Sequence, residues 1–246
     1  MIALGLAALT VVLLWPVPFL LARSHLALRH PAAALVAWQA IGLGTGLAAI
    51  CAGLAYGLAG PSPAPLVATA ALGAYLLGVA AWVGARTLVR RRRHRAILDL
   101  VSTPLPEFPG GRLLDSPTAM VYCLPGLRPR MVVTSAALAG LSPSALTAVV
   151  AHERAHLHQH HDLVTLPFVA WHTALPFLPG ARTARSAVAL LVEILADDAA
   201  RARVGTAPLR DALISVVLSG APSEAGTEAP GTEAPGATAL RLSRLR

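Results

Sequence analysis

The sequence predicts an α-helical membrane protein: three N-terminal transmembrane helices, then a mainly α domain with a small β-hairpin. Three observations predict it. The chain is 55% hydrophobic and 13% charged, with a mean hydropathy of +0.63, values that suit a membrane chain better than a soluble one. No Asp or Glu occurs before Asp99. Beyond that point the unbroken apolar stretches give way to short β-prone runs and to a helix with one apolar side.

The apolar stretches Ile2–Ala22, Ala32–Ala59 and Leu66–Val89 each reach the about 20 residues that a helix needs to cross the hydrocarbon core. Pro16 and Pro18 predict a kink or an early end in the first. It reads as a retained anchor and not a cleaved leader, because no Arg precedes it and its apolar core is long. The first connection carries Arg23, His25, Arg29 and His30. The second, around Pro61–Pro65, carries no charge, and the third opens with Arg90-Arg91-Arg92-Arg93-His94-Arg95. Short Arg-rich loops stay cytoplasmic. The expected location is therefore the plasma membrane, multi-pass, with the N-terminus outside and the chain from Arg90 to at least Asp162 inside.

The lipid bilayer is the first partner these features imply, and the formal charge of +8 is largely topogenic Arg in contact with anionic lipid. The basic run has no interleaved aromatics, so no direct nucleic-acid binding is expected. The chain has no Lys, which excludes a lysine nucleophile or Schiff base. Cys51 lies within the second apolar stretch and Cys123 beyond the third, so no disulfide between them is expected.

From Ala96 a short helical continuation is expected, then a loop over the Pro- and Gly-rich Ser102–Gly111. Thr118–Leu124 and Arg130–Thr134 are β-prone and separated by a Pro125-Gly126 turn, a hairpin pattern. Ser142 followed by Pro143 predicts a helix start, with Leu146, Val149, Val150 and Leu157 on one side and an end near His160. Within that helix stands His152-Glu153-Arg154-Ala155-His156, an H-E-x-x-H pentad. Spacing of four places both imidazoles on one helix face, where they reach a single Zn²⁺. Glu153 lies beside them, placed to take a proton from a water that the metal activates. A solvated His-rich helix end, with His158, His160 and His161 close by, would show the same spacing, so a third ligand matters.

Asp162 stands six residues past His156, but Gln159 occupies the place where a glycine would turn the chain back. Glu193 and Asp197 are four apart, hence on one helix face, among Val188, Leu190, Leu191, Val192, Ile194 and Leu195. Carboxylates in such surroundings need partners. A metal would serve, and so would Arg201 or Arg203. Leu163–Leu178 is apolar but short for a span and holds Pro167 and Pro176, so packing on the catalytic domain or a re-entrant course is expected. His172 within it reads as packing beside Trp171. From Gly220 the composition turns small, polar and Pro-rich, with Gly226-Thr227-Glu228-Ala229-Pro230 repeated directly after, and disorder is expected.

Met131–Ser135, Leu141-Ser142-Pro143, Ala151–His156 and Val192–Ala200 together resemble the M56 family of membrane zinc metallopeptidases. That family includes the β-lactam sensor–transducer proteases and is related to the M48 membrane peptidases. The resemblance covers roughly Ala96–Val204, and the three spans by topology. It implies a gluzincin-like domain with Zn²⁺ held by His152, His156 and Glu193, and Glu153 as general base. It also implies that Asp197 orients a ligand histidine, a role Asp198 could take instead. The organisation expected is 1–89 transmembrane, 90–219 catalytic (with 163–180 packed or re-entrant) and 220–246 tail.

The implied activity is hydrolysis of peptide bonds at the cytoplasmic face in regulatory proteolysis. The expected protein substrate is a cytoplasmic transcriptional repressor, the chain itself, or both. The hairpin offers an edge strand to an extended peptide. No penicillin-binding sensor segment is expected. An M48-type quality-control protease and a non-catalytic zinc-binding scaffold are the competing readings.

Overall fold

The computed structural model describes residues 1–126, 128–218 and 236–245. In chain order the elements are α1 (Ile2–Leu14), α2 (Pro16–Ala22), α3 (His25–Arg29), α4 (Pro31–Ala59), α5 (Ala64–Val101), β1 (Ser102–Pro104), β2 (Gly111–Leu114), β3 (Val121–Leu124), β4 (Arg130–Thr134), α6 (Ser135–Gly140), α7 (Pro143–His158), α8 (His161–Ala174), α9 (Pro179–Val204), α10 (Thr206–Leu218) and α11 (Ala237–Arg244). The described residues are mostly helical, with one small sheet. Three stretches are helical, long and apolar enough to cross a membrane: Ile2–Ala22, Pro31–Ala59 and Ala64–Val101.

Proline accounts for the break in the first of these. Pro16 has no N–H to continue the ladder and its ring crowds the preceding turn, so α1 ends at Leu14 and α2 begins at Pro16. The third is longer than the apolar stretch that marks it. α5 has 38 residues, about 57 Å at 1.5 Å per residue, and carries the arginine run and Ala96–Val101 in one continuous helix.

The chain forms two compact units, Met1–Thr87 with Thr165–Leu191, and Leu88–Val164 with Val192–Arg246. In the first, α1 lies along α4. Gly53 and Gly57 let α4 approach α5 so closely that a methyl at either would overlap Thr69 or Leu66. Trp38, 1% exposed, meets the Phe168 ring edge-on at 6.5 Å and shares a core with Ala34, Val188 and Leu191. Leu4, Leu43, Leu58 and Leu77 are exposed, apolar surface that a lipid phase would remove from water. Thr165–Leu191 groups with the apolar helices in this unit, and Phe168, Val188 and Leu191 share the Trp38 core.

In the second unit a four-stranded sheet has the order β1-β2-β4-β3. The expected hairpin is β3 and β4, antiparallel with Cys123 opposite Met131. β2 joins β4 in parallel and β1 joins β2 antiparallel. Both extra strands start within the stretch read as loop; at three and four residues they are too short to show an alternation. Met131 and Val133 pack on Ala137 and Val150, while Val132 turns the other way to Tyr122 and Leu98. A strand covered on both faces reads as a continuous apolar run, which is what Met131-Val132-Val133 is.

α7 starts as expected, with the Ser142 side chain accepting from the Ala145 N–H and Pro143 in the first turn. It ends at His158, two residues early, because His160 adopts a left-handed conformation (φ 50°). The turn is thus made without glycine, by a residue type that tolerates this region better than most. The GTEAP repeat lies outside the described residues. The end of the expected disordered tail is nevertheless ordered: Ala237–Arg244 is helical, with Leu242 and Leu245 packed on Ala145, Ala148, Ala200, Leu209 and Ala212. Apolar burial of that pair on an existing core is what a composition-based reading of the tail omits.

Candidate metal centre

Small residues bring the two key helices together. Ala148 and Ala151 of α7 share a core cluster with Ala200 of α9, and side chains this small permit close helix approach. His152 and His156 on α7 then face Glu193 and Asp197 on α9. His152 Nε2 lies 3.1 Å from His156 Nε2. Glu193 Oε2 is 3.4 Å from His152 Nε2, and Glu193 Oε1 is 3.5 Å from His156 Nε2. All three residues offer a ligand atom within 4.8 Å of one another.

Glu193 is 7% exposed, and its Oε1 has no hydrogen-bond donor. A buried carboxylate oxygen left unpaired is costly, and this one stands 3.5 Å from His156 Nε2. A tetrahedral Zn²⁺ with bonds of about 2.0 Å sets its ligand atoms about 3.3 Å apart. The residues present fit such an ion.

The tautomers follow from the neighbours. His161, 3% exposed, places Nε2 3.0 Å from Gln159 Oε1 and Nδ1 2.9 Å from His156 Nδ1. The amide oxygen can only accept, so His161 Nε2 donates to it. In neutral His161 the Nδ1 is then an acceptor, and His156 Nδ1–H donates. The His156 Nε2 lone pair is thereby left toward Glu193 and His152.

His152 is held from its other side. Asp197 Oδ1 stands 2.9 Å from His152 Nδ1, close but poorly aligned with the N–H. Asp197 in turn accepts from Arg241, Nε to Oδ2 at 2.7 Å and Nη2 to Oδ1 at 2.9 Å. Arg241 Nη1 reaches Glu193 Oε2 at 3.0 Å. Glu153 Oε2 accepts from the Cys123 backbone N–H at 3.3 Å, an N–H on the free edge of β3.

These contacts set the protonation pattern of the side chains themselves. Burial lifts the Glu153 carboxyl to about 7, with Glu193 adding to the lift and His152 opposing it. Burial alone would lower His152, but Asp197 and Glu193 outweigh it and raise it to about 10. Burial takes His156 down to about 3 and His161 to about 4. Glu193 and Asp197 are both held below the usual carboxylate range. Burial pushes each up, and His152 and Arg241 more than offset it.

His152, Glu153, His156, Glu193 and Asp197 therefore converge, and two acids do not. Asp198 pairs with Arg201 and Arg244, each at 3.2 Å, because the next residue along a helix points about 100° away. Asp162 accepts from Arg91 at 2.6 Å. Arg201 pairs with Asp198 and leaves Glu193 and Asp197 to Arg241. Sequence reasoning missed His161 and Arg241. His161 was visible only as one member of a histidine cluster. Arg241 left a fainter trace, standing one helical turn before Leu245 in a Leu/Arg pattern.

Residues 88–202 match the model of Peptidase family M48. The matched stretch includes the pentad and Glu193 and ends before Arg241. No curated protein and no solved structure matches the chain. M48 peptidases depend on zinc, and the match, the His/His/Glu group and the three apolar helices together support a membrane metallopeptidase.

Proposed function

We propose that the chain is an integral membrane zinc endopeptidase of the H-E-x-x-H…E type, acting at the cytoplasmic face in regulatory proteolysis. In this reading it is M56-like, and its substrate is a cytoplasmic repressor, the chain itself, or both. The observation that carries the reading is that His152, His156 and Glu193 bring ligand atoms within 4.8 Å of one another, with the buried Glu193 Oε1 lacking a donor. Those three residues would hold the ion, with Asp197 orienting His152. Zinc supplies a Lewis acid that activates water and polarises a carbonyl.

The chain's own groups do the rest. Glu153 takes a proton from the attacking water. The same carboxyl then hands that proton to the leaving amine nitrogen as the peptide C–N bond breaks, giving a free amine and a carboxylic acid that releases water's second proton to solvent. A carboxyl that burial lifts to about 7 is suited to doing both. An extended peptide laid along β3 would meet the outward backbone groups of Val121 and Cys123, beside Glu153.

Zinc content and peptide hydrolysis test this directly. Wild type should hold one zinc per chain, and His156→Ala and Glu193→Ala should lose it. Glu153→Gln should keep zinc and lose about 10²–10⁴-fold in rate. Loss of zinc in Glu153→Gln, or hydrolysis that persists in it, would refute the assignment. The M48 match favours a second reading, broad membrane quality control. Cells with and without Glu153→Gln separate the two: one cleaved protein supports regulation and many support housekeeping.

A further inference from the structure

We infer that Arg241, carried by the C-terminal helix α11, is the positioning residue that decides which oxygen Glu193 offers to the metal and keeps Asp197 against His152. The inference rests on the metal-site reading above. It concerns a residue outside the stretch matched to Peptidase family M48.

Arg241 is 5% exposed. A guanidinium so deeply buried persists only when paired, and its partners are the two acids of the site. Its Nη1 engages Glu193 Oε2 at 3.0 Å, so the guanidinium competes with the ion for that oxygen, which stands 3.4 Å from His152 Nε2. Glu193 Oε1, the atom without a donor, is left to face His156 Nε2. Glu193 can then offer one oxygen only, so the protein supplies three ligands and a fourth position stays open. The other two donors grip both oxygens of Asp197. That holds Oδ1 at 2.9 Å from His152 Nδ1 and keeps the His152 Nε2 turned to the site. One planar fork of fixed donors performs both tasks, and a lysine cannot.

The rest of α11 anchors the fork. Leu242 and Leu245 pack into the α7–α9–α10 core, and Arg244, three residues on, bonds Asp198 at 3.2 Å. The two arginines thus answer the three acids Glu193, Asp197 and Asp198, so the last helix of the described chain is part of the site and not an appendage to it.

The visible absorption of the full-length protein loaded with Co²⁺ in place of zinc tests this. Four-coordinate Co²⁺ absorbs strongly and five-coordinate Co²⁺ weakly. Wild type should give the strong spectrum. In Arg241→Gln the freed Oε2 joins the ion, and the absorptivity should fall several-fold. Arg241→Lys keeps the charge but not the fork and should fall between, and it serves as the test if the glutamine variant does not fold. Ser142→Ala removes the cap at the start of α7, away from the fork. It should lower the melting temperature and leave the spectrum as in wild type. A wild-type spectrum in Arg241→Gln or Arg241→Lys would overturn the inference. Wild type that binds neither Co²⁺ nor zinc would sink the metal-site reading itself.

Discussion

The proton on His152 Nε2 stands where a cation would sit. Asp197 and Glu193 keep His152 protonated up to about 10, while His156 stays neutral down to about 3. At neutral pH one charged and one neutral imidazole therefore face each other across 3.1 Å. Zinc must displace the His152 proton to bind. Lower pH favours that proton and so opposes the metal. Between about 7 and 10, apparent zinc affinity should rise roughly tenfold per pH unit for one displaced proton. Competition with a chelator of known affinity across that range measures it, and a flat dependence would show that His152 is not a ligand. His156 and His161, held neutral when folded, add a second effect. Both have folded values below their unfolded ones, so the unfolded chain binds their protons first. Through these two groups, acid between about 6.5 and 3 favours unfolding.

At the scale of elements, the site depends on how closely α7 can approach α9. Ala148 is fully buried in the cluster with Ala200 and Leu209. Ala148→Leu should cost about 1–3 kcal/mol through overpacking. It should also separate the pentad from Glu193, so zinc content falls along with the melting temperature. The helix start gives the contrast. Ser142→Ala removes the cap on Ala145 N–H and should cost about 1 kcal/mol, with zinc content unchanged in the folded protein. Equal zinc loss in both variants would mean that metal retention merely follows global stability and not the α7–α9 spacing.

At the scale of the molecule, the charge at the ends of the apolar helices bears on orientation. Arg90–Arg93 and Arg95 follow the third apolar stretch, and no charge stands between the second and third; on the positive-inside rule we propose that Leu88–Val164 lies in the cytoplasm. A cysteine-free background with Ser62→Cys should be labelled by an impermeant maleimide on intact cells. Arg92→Cys should be labelled only after permeabilisation. Labelling of the Arg92 site on intact cells would reverse the orientation and remove a cytoplasmic repressor from the possible substrates.

What the sequence determined by itself is what acts over a few residues. Hydropathy marked the three spans, Ser142-Pro143 the start of α7, the β-prone runs the β3–β4 hairpin, and spacing of four the shared face of His152 and His156. The match of residues 88–202 to Peptidase family M48 agrees with the metallopeptidase that those motifs suggest. Tertiary structure alone decided which groups meet across the chain. It chose Asp197 over Asp198 for His152, sent Asp162 to Arg91, returned His161 to His156 through a left-handed His160, and brought Arg241 across 44 residues to Asp197. Caps and periodicities are local, and a sequence states them. The pairing of buried charges depends on which helices share a core, and Leu242 and Leu245 settle that by burying apolar surface against α7, α9 and α10.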